Sequence, residues 1–569
     1  MVADAGEKPS LLFFLLCGLL GTLWVAPPEI YPGAAFLAAL LLPALGGTLL
    51  WTGWLPDRGQ RWFLAALVLP LAISHHFALD NGGSLHSMIR LAGALILFAA
   101  ARRVSPAEAR GLLMLLAGGM AVLSLHGLWQ YLVGFDRLLA DRGLPAGVVE
   151  RLQTYRVFGR SVLPSVFASL LFLALPVSVG LASAARGLAR LAWGMAALLS
   201  GVAVLLTRSH GALLAAALAA ILWGAAGRGI SRRWMLCGAA ILVAGFFLVV
   251  QAREGVILSP ANAQGPLALR GRNLIAATRM ILQHPIAGVG GDGFGSAYPA
   301  YRRSGDNETR FAHNTYLQAV AEHGLPMLLP VALGLVMLLG AIRRVGTRGA
   351  PPAVGAAFGL SVFLLHNAWD ISASLESTVW TAAVLAGVIA AEGDRLAPPV
   401  SWRTDRWAWP AWGRLVLCTA ALAVFCAGGF LAGRMALARV AQDRSRQALS
   451  AGAWRRGYTQ AVRAESLCPW EAGYPLLQAE TLLHHPEVLS RPERAPQQAL
   501  AAASRVVLRN RAWPAARHVR ALALHAVGRT SDAAAELGQA AALYPARSFY
   551  RDELERLGQA VGARSREAR

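Results

Sequence analysis

Long apolar runs alternate with short polar connections over the first three quarters of the chain. Runs of about 18 or more apolar residues are typical of transmembrane helices. The pattern predicts an all-α, polytopic helical membrane protein with about 12 or 13 transmembrane helices. The predicted helices lie near residues 10–26, 34–54, 62–79, 88–101, 111–133, 161–182, 188–206, 211–226, 234–251, 324–342, 353–371, 374–391 and 413–433.

The composition agrees with a membrane protein. Only 15% of the 569 residues are charged and 56% are hydrophobic, whereas about 25% of a soluble protein is charged. The run at residues 11–26 follows the single Lys8 and lacks a small-residue cleavage site, so we expect a membrane helix rather than a signal peptide. The five cysteines lack metal-ligand spacing, and we expect no metal, no cofactor and no disulfide framework.

The charge distribution predicts the orientation. The formal net charge is +22, and many arginines lie in alternate short connections, as cytoplasmic loops do. Binding of anionic lipid or of an anionic substrate would explain the remaining excess of positive charge. Because no basic stripe with interleaved aromatic residues occurs, we expect no nucleic acid partner. The arginine-rich connections contain Arg58, Arg61, Arg102, Arg103, Arg186, Arg190, Arg228, Arg232, Arg233, Arg343, Arg344 and Arg348.

The connections on the opposite, outer face hold the unusual polar residues. The longest polar interval, residues 252–323, lies on this face and is the candidate active-site loop. Arginines are expected to be scarce there, so those present require a functional explanation. An odd number of spans also places everything after Arg434 on this face.

The sequence predicts two domains, a transmembrane domain over residues 1–434 and a helical domain over 435–569. Within the second, two windows share a register of small residues followed by proline, and a weaker copy occupies about 480–511. This pattern is typical of tetratricopeptide repeats, although a generic Ala-rich bundle remains the alternative. Either would offer an interaction surface for a protein partner. The matching positions are Gly452, Gly457, Ala461, Ala464 and Pro469 with Gly528, Ala533, Leu537, Ala540 and Pro545.

One arginine of the outer face is a candidate for phosphate binding. Arg208, at the end of an apolar helix, could reach membrane lipid headgroups with its guanidinium. Alternatively, it could join the N-terminus of the next helix in binding a diphosphate. Arg272 opens an amphipathic segment that we expect along the membrane surface. The glycine-rich stretch 288–295 is either a phosphate nest or a plain turn, and Arg302, Arg303 and Arg310 add positive charge to the same loop.

Two histidines of the outer face could handle protons. His313 precedes Asn314 and a helix that contains Glu322, so it could cap that helix or contact headgroups. An imidazole, whose ordinary pKa lies near neutral, would also suit a general base that deprotonates a sugar hydroxyl. His366, with Asp370 one turn later, could fix a proton or stabilise a buried turn.

The order of these segments resembles the O-antigen ligase and polymerase superfamily of bacterial membrane glycosyltransferases. The resemblance covers most of residues 150–390, in the blocks TYRVFGRSVLPSVFASLLFLALP (154–176), LTRSHGALLAAALA (206–219), GRNLIAATRMILQHPIAGVGGDGF (271–294), HNTYLQAVAEHGLP (313–326) and LLHNAWD (364–370). It implies a multi-pass inner-membrane enzyme that takes a glycan from undecaprenyl diphosphate on the periplasmic face, without a metal ion. Two arginines would hold the diphosphate, and the loop histidine would activate the acceptor hydroxyl.

Carried over by motif position, the resemblance implies that Arg208, Arg272 and His313 are catalytic. Three positions depart from the usual pattern: Thr-Arg-Ser-His-Gly surrounds Arg208, Ala276 replaces a tryptophan, and Ser165 stands where relatives often have asparagine. Seven further polar residues of the outer face are predicted to bind substrate. These are Arg156, Arg160, Arg302, Arg303, Arg310, His366 and Glu322.

Three acceptors fit the resemblance: a lipid A–core saccharide, another lipid-linked glycan, or a protein serine or threonine. We rank ligase-type transfer first, with an O-antigen or exopolysaccharide polymerase and a protein O-oligosaccharyltransferase as alternatives. The C-terminal helices resemble the protein-glycosylating branch, but the HNAWD block departs from it. A transporter of lipid-linked glycans or an assembly scaffold is the remote alternative.

Overall fold

A computed structural model describes residues 9–51, 58–141, 143–144, 146–226, 240, 266–303, 305–397 and 411–567. Every named regular element within these ranges is helical, which confirms the predicted all-α class. The first ten α-helices are α1 (Leu11–Val25), α2 (Pro32–Trp51), α3 (Arg58–His76), α4 (Asn81–Ala101), α5 (Pro106–Trp129), α6 (Phe135–Leu139), α7 (Ala146–Gln153), α8 (Pro164–Ala184), α9 (Gly187–Thr207) and α10 (His210–Ala225). A π-helical turn, Gln130–Gly134, joins α5 to α6.

The later helices extend from the candidate active-site loop to the C-terminus. They are α11 (Pro266–Gln283), α12 (Phe294–Ala297), α13 (Thr315–His323), α14 (Leu328–Arg348), α15 (Pro351–His366), α16 (Glu376–Arg395), α17 (Ala411–Ser450), α18 (Trp454–Leu467), α19 (Gly473–His484), α20 (Ala495–Arg509), α21 (Pro514–Ala526), α22 (Thr530–Leu543) and α23 (Phe549–Glu567). The predicted helix 234–251 lies outside the described residues except for residue 240.

Six helical segments are long and apolar enough to cross a membrane, within the part of the chain that the structure describes. Helices α1, α10 and α15 are apolar but have only 15 or 16 residues, fewer than the roughly 20 that span a bilayer. The multi-pass membrane class is therefore confirmed, while the total of 12 or 13 spans stays a prediction. The six segments are Pro32–Leu49, Asn81–Ala101, Pro106–Leu139, Pro164–Ala184, Gly187–Thr207 and Leu325–Arg348.

The chain divides into two compact units. The first contains Met1–Arg61, Arg90–Ser259 and Val331–Phe430, and the second contains Trp62–Ile89, Pro260–Pro330 and Leu431–Arg569. The division inside α17 lies close to the predicted boundary at residue 434. The loop, however, packs with the C-terminal helices, a grouping that the sequence-based division did not include.

In the first unit, α8 is buried along most of its length and packs closely against α15. Glycines make this approach feasible: a Cβ on Gly355 would lie 2.1 Å from the Pro176 carbonyl oxygen, and one on Gly180 would lie 2.3 Å from that of Pro351. Close backbone contact between small residues is the usual way in which membrane helices associate.

In the second unit, the predicted polar loop forms a folded helical subdomain. Its core joins α11, α12 and α13 through Ala277, Met280, Phe294 and Ala321, among others. Helix α11 begins at Pro266, so the prediction that Arg272 opens the amphipathic segment is wrong; Arg272 lies within the helix. Apolar residues of the loop thus fold onto one another.

The C-terminal part consists of successive antiparallel helices that pack on their neighbours, from α18 to α23. Helices α18 and α22 each run for 14 residues and follow Gly452 and Gly528, both with positive φ. The equivalent residues Ala464 and Ala540 are completely buried in these helices. The shared register therefore corresponds to equivalent helical hairpins; their assignment to tetratricopeptide repeats stays a prediction.

Candidate functional site

Arg208 and Arg156 meet where α9 ends. The Nη1 of Arg208 donates to the Thr154 carbonyl oxygen at 3.2 Å, and the Nε of Arg156 donates to the Thr207 carbonyl oxygen at 3.1 Å. Each arginine thus binds the backbone beside the other. The structure brings these two predicted residues together and attaches the segment before α8 to the end of α9.

The backbone is left-handed at two catalytic candidates. Among the described residues, the non-glycine positions with positive φ are Tyr155, Arg208, Asp292 and His313, with φ of 48°, 48°, 51° and 56°. This conformation costs roughly 1–2 kcal/mol for a residue with a Cβ, and such strain tends to cluster at functional sites. The observation supports the functional interpretation of Arg208 and His313.

Arg160 contacts the connection between α1 and α2. Its Nη1 lies 3.3 Å from the Tyr31 hydroxyl, and its guanidinium carbon lies 5.9 Å from the centre of the Tyr31 ring. The side chain is exposed. An anion that binds Arg160 would therefore also meet an aromatic hydroxyl.

His366 belongs to a buried hydrogen-bond network. Its side chain is only 2% exposed, and its Nδ1 lies 2.7 Å from the Ser169 hydroxyl, which in turn lies 2.8 Å from the Ser372 hydroxyl. Asp370 accepts from the Ser372 amide and hydroxyl and lies 3.9 Å from His366 Nε2. The geometry suggests that this network holds a proton at a defined position or stabilises a buried turn. It does not favour direct contact of His366 with substrate.

Arg272 forms an ion pair with a residue that the sequence analysis missed. Its Nη1 donates to Asp306 Oδ1 at 2.8 Å, and the Arg303 amide donates to Asp306 Oδ2 at 2.8 Å. The Asp306 side chain is 4% exposed and that of Arg272 is 28% exposed. Asp306 thus orients the arginine on α11. The sequence feature that could have identified Asp306 is the presence of an acidic residue within an arginine-rich loop.

The glycine-rich stretch is a packing turn. The amides of Gly288, Val289 and Gly290 already donate to the backbone carbonyls of His284, Ala321 and Glu322. A Cβ on Gly288, which has φ +65°, would also lie 2.3 Å from the backbone of Glu322. These amides are occupied, so the structure favours a plain turn over a phosphate nest.

His313 stands immediately before α13. Asn314 caps this helix, since its side chain accepts from the Leu317 amide at 2.9 Å. The cap fixes where the helix begins, while the left-handed backbone of His313 turns the chain into it. The side chain of His313 is half-buried.

Glu322 supports the backbone that precedes His313. The carboxylate is buried and accepts from Gln318 Nε2 at 2.9 Å; Gln318 Oε1 accepts from the Ala312 amide at 3.0 Å. This relay links α13 to the residue before the histidine. The geometry therefore favours a positioning role for Glu322 over the predicted contact with substrate.

The three loop arginines have different surroundings. Arg302 is 12% exposed, donates to the Tyr544 hydroxyl and the Asp306 carbonyl, and pairs with Glu308 at 3.4 Å. It therefore connects the loop subdomain to the C-terminal helices. Arg303 and Arg310 are exposed, and both remain accessible to an anionic ligand.

Residues 195–332 match the O-antigen ligase family. The matched segment contains Arg208, Arg272 and His313, the three catalytic candidates. This segment of the chain is similar to the O-antigen ligase superfamily. A search of curated proteins found no match.

Similarity to the O-antigen ligase family implies, in general terms, a membrane enzyme of the glycosyltransferase kind, with a lipid-linked glycan as donor and a separate acceptor. The O-antigen ligase match also includes the loop arginines and Glu322. Arg156, Arg160 and His366 lie outside it.

Proposed function

We propose that this protein is an O-antigen ligase-type glycosyltransferase. It moves a glycan from undecaprenyl diphosphate to an acceptor hydroxyl on the periplasmic face of the inner membrane. The proposal depends chiefly on one observation: the segment that matches the O-antigen ligase family contains Arg208, Arg272 and His313, two of which have left-handed backbones.

The two arginines would stabilise the leaving group. When the bond between sugar and diphosphate breaks, negative charge develops on the diphosphate, and fixed guanidinium groups stabilise that charge. Arg208 precedes the N-terminus of α10, whose backbone dipoles favour an anion. Arg272 is held by Asp306, so little reorganisation of its guanidinium would be needed during the reaction.

His313 would act as the general base. The acceptor oxygen attacks the anomeric carbon and its proton passes to the imidazole. The bond between that carbon and the diphosphate oxygen breaks, and undecaprenyl diphosphate leaves with the electron pair. This single displacement inverts the anomeric configuration. Proton transfer to a positioned histidine contributes roughly 10²–10⁴-fold to such reactions.

The test uses the purified full-length protein with an undecaprenyl diphosphate glycan and measures release of the diphosphate lipid. Arg272→Ala and His313→Ala are compared with the wild type, and Arg279→Ala is the matched control on α11. We expect release only with one acceptor class, and a loss of roughly 10²-fold or more in the two variants but not in the control. Full activity in folded Arg272→Ala and His313→Ala would show that the assigned residues are wrong.

The acceptor panel separates the alternatives. Turnover with a lipid A–core saccharide supports a ligase, turnover with a second lipid-linked glycan supports a polymerase, and turnover with a serine-containing peptide supports a protein O-oligosaccharyltransferase. The stacked C-terminal helices are the feature that favours a peptide acceptor or a protein partner. If no acceptor is glycosylated, transport of the donor across vesicles would favour the transporter alternative.

A further inference from the structure

A cavity of about 320 Å³ lies inside the second unit, between the loop subdomain and the C-terminal helices. The loop contributes Tyr298, Arg302 and Arg310, and the C-terminal helices contribute Trp513, Arg547 and Tyr550. Its volume is at the lower end of the roughly 300–1,000 Å³ that small-molecule sites occupy. The cavity is therefore large enough for one or two sugar rings.

The charge of the lining favours an anion. Three arginines face one carboxylate, and that carboxylate, Glu308, is already engaged by Arg302 at 3.4 Å and by the Tyr544 hydroxyl at 2.9 Å. No described carboxylate pairs with Arg310 or Arg547. The Arg547 guanidinium lies 5.5 Å from the Phe549 ring and 5.9 Å from the Tyr550 ring. These contacts hold its position and leave its charge unneutralised.

The walls of the cavity are suited to a sugar rather than an acyl chain. Tyr298, Trp513, Tyr544 and Tyr550 supply the large apolar surface, and no Leu, Ile, Val or Met occurs among the described lining residues. Aromatic side chains combine a flat apolar face with a polar atom, which matches the alternating C–H and hydroxyl surfaces of a pyranose ring. A lipid tail would instead require an aliphatic groove.

We propose that this cavity binds a saccharide that carries a carboxylate or phosphate group. Arg310 and Arg547 bind the anionic group, and Trp513 and Tyr550 contact the sugar ring. Arg310 lies three residues before His313 in the chain, so a glycan bound here is held by the same loop that carries the candidate base. The role of the cavity in transfer rests on the proposed function, whereas binding itself does not.

Binding is measured by calorimetry on the full-length protein in nanodiscs of neutral lipid, without donor. The probes are tetragalacturonate, its neutral methyl ester, a phosphorylated maltotetraose, inorganic phosphate and tetraglutamate. We expect saturable binding of tetragalacturonate or of the phosphorylated sugar, at least about tenfold tighter than binding of the ester, because charge-assisted hydrogen bonds are lost in the ester. Which of the two binds more tightly identifies the anionic group.

Substitutions locate the site. Arg547→Gln should weaken binding of the charged saccharide about tenfold, with little effect on the ester, and Trp513→Leu should weaken both. Arg310→Gln provides a second test on an exposed residue if Arg547→Gln folds poorly. The control, Arg491→Gln with Arg494→Gln, removes two exposed arginines outside the cavity and should leave binding unchanged.

Several results would overturn the proposal. Equal affinity for tetraglutamate would indicate an acidic-peptide site, and equal affinity for inorganic phosphate would indicate an anion site without sugar recognition. Unchanged binding in both folded Arg547→Gln and Arg310→Gln would place the saccharide elsewhere. Because this assay contains no donor and measures no turnover, its failure can be distinguished from failure of the proposed transfer activity.

Discussion

At Arg208 and His313 the surrounding structure imposes a left-handed backbone on residues with long side chains. Glycine adopts this conformation more readily. An arginine or a histidine at these positions therefore costs the folded protein some stability. The sequence alone could not reveal this feature, because arginine and histidine, like other residues with a Cβ, have negative φ at most positions. The motifs identified the residues, and the backbone supplies independent support for them.

Replacing His313 with asparagine should separate stability from catalysis. Asparagine accepts φ near +56°, so we expect an unchanged or slightly higher melting temperature and a loss of transfer of roughly 10²-fold or more. Thermal unfolding and single-turnover transfer measure the two effects. His284→Asn, in the same subdomain, should retain activity; His313→Asn with wild-type turnover would rule out a general base at this position.

Asp306→Asn should reveal what the ion pair contributes to Arg272. The amide still accepts from the Arg303 backbone, so the loss of stability should be about 1–3 kcal/mol. The orientation of Arg272 is weakened while its charge remains, and kcat should therefore fall by less than in Arg272→Ala. Denaturant unfolding and donor kinetics check both effects. If Asp306→Asn equals Arg272→Ala in activity, or has no effect, the positioning role is wrong.

At the scale of helices, the connection between α1 and α2 binds the start of α16. The Glu29 carboxylate accepts from the Ser377 amide at 3.4 Å and from the Ser377 hydroxyl. Burial and the nearby Glu376 raise the pKa of Glu29 to about 7. The ionised carboxylate is therefore disfavoured in the folded protein relative to the unfolded chain.

This pKa shift gives a pH dependence with a definite sign. An acid whose pKa is raised on folding contributes stability at low pH and loses it as the pH rises through the folded value. The wild type should thus lose stability between about pH 4.5 and 7, and Glu29→Gln should lose less. We expect the variant to gain melting temperature relative to the wild type as the pH rises toward 8. If the melting temperatures of the wild type and Glu29→Gln changed in parallel across this pH range, the raised pKa of Glu29 would be contradicted.

Helix positions were predictable because a long apolar run in a membrane protein has few possible structures other than a transmembrane helix. The predicted runs 161–182 and 188–206 correspond closely to α8 and α9. The loop was harder to interpret, since α11 is polar on one face and its core is built largely of small residues such as Ala276 and Ala277. Asp306 and Glu322 were also difficult to assign, because their partners lie on other segments or depend on the local helix geometry.

At the scale of the whole second unit, three distant segments meet at Asp80. Its carboxylate accepts from the Ser296 hydroxyl at 3.1 Å and from Asn510 Nδ2 at 3.0 Å, and the Arg511 amide donates to the Leu79 carbonyl at 2.9 Å. These contacts join the α3–α4 connection, the loop subdomain and the C-terminal helices. We call this set of hydrogen bonds around Asp80 the polar node. No local sequence pattern predicts it, because its residues lie far apart in the chain.

Asn510→Ala should loosen this node. Removal of the amide leaves the half-buried Asp80 with one partner fewer, so we expect faster hydrogen exchange in peptides that cover residues 79–84 and 294–301. Arg529→Ala, which removes an exposed ion pair with Asp532, should change exchange only in its own helix. Identical protection in wild type and Asn510→Ala would show that the node contributes little to local stability.

The grouping of the loop with residues 431–569 also sets an order for biosynthesis. The ribosome completes the loop long before it makes the helices on which Arg302 and Asp80 depend. Domains generally fold as units during synthesis, so the loop must wait for the last quarter of the polypeptide before it acquires its final contacts. A premature stop codon near the C-terminus would thus leave the early part of the second unit unfinished, even though every residue of the family match had already been translated.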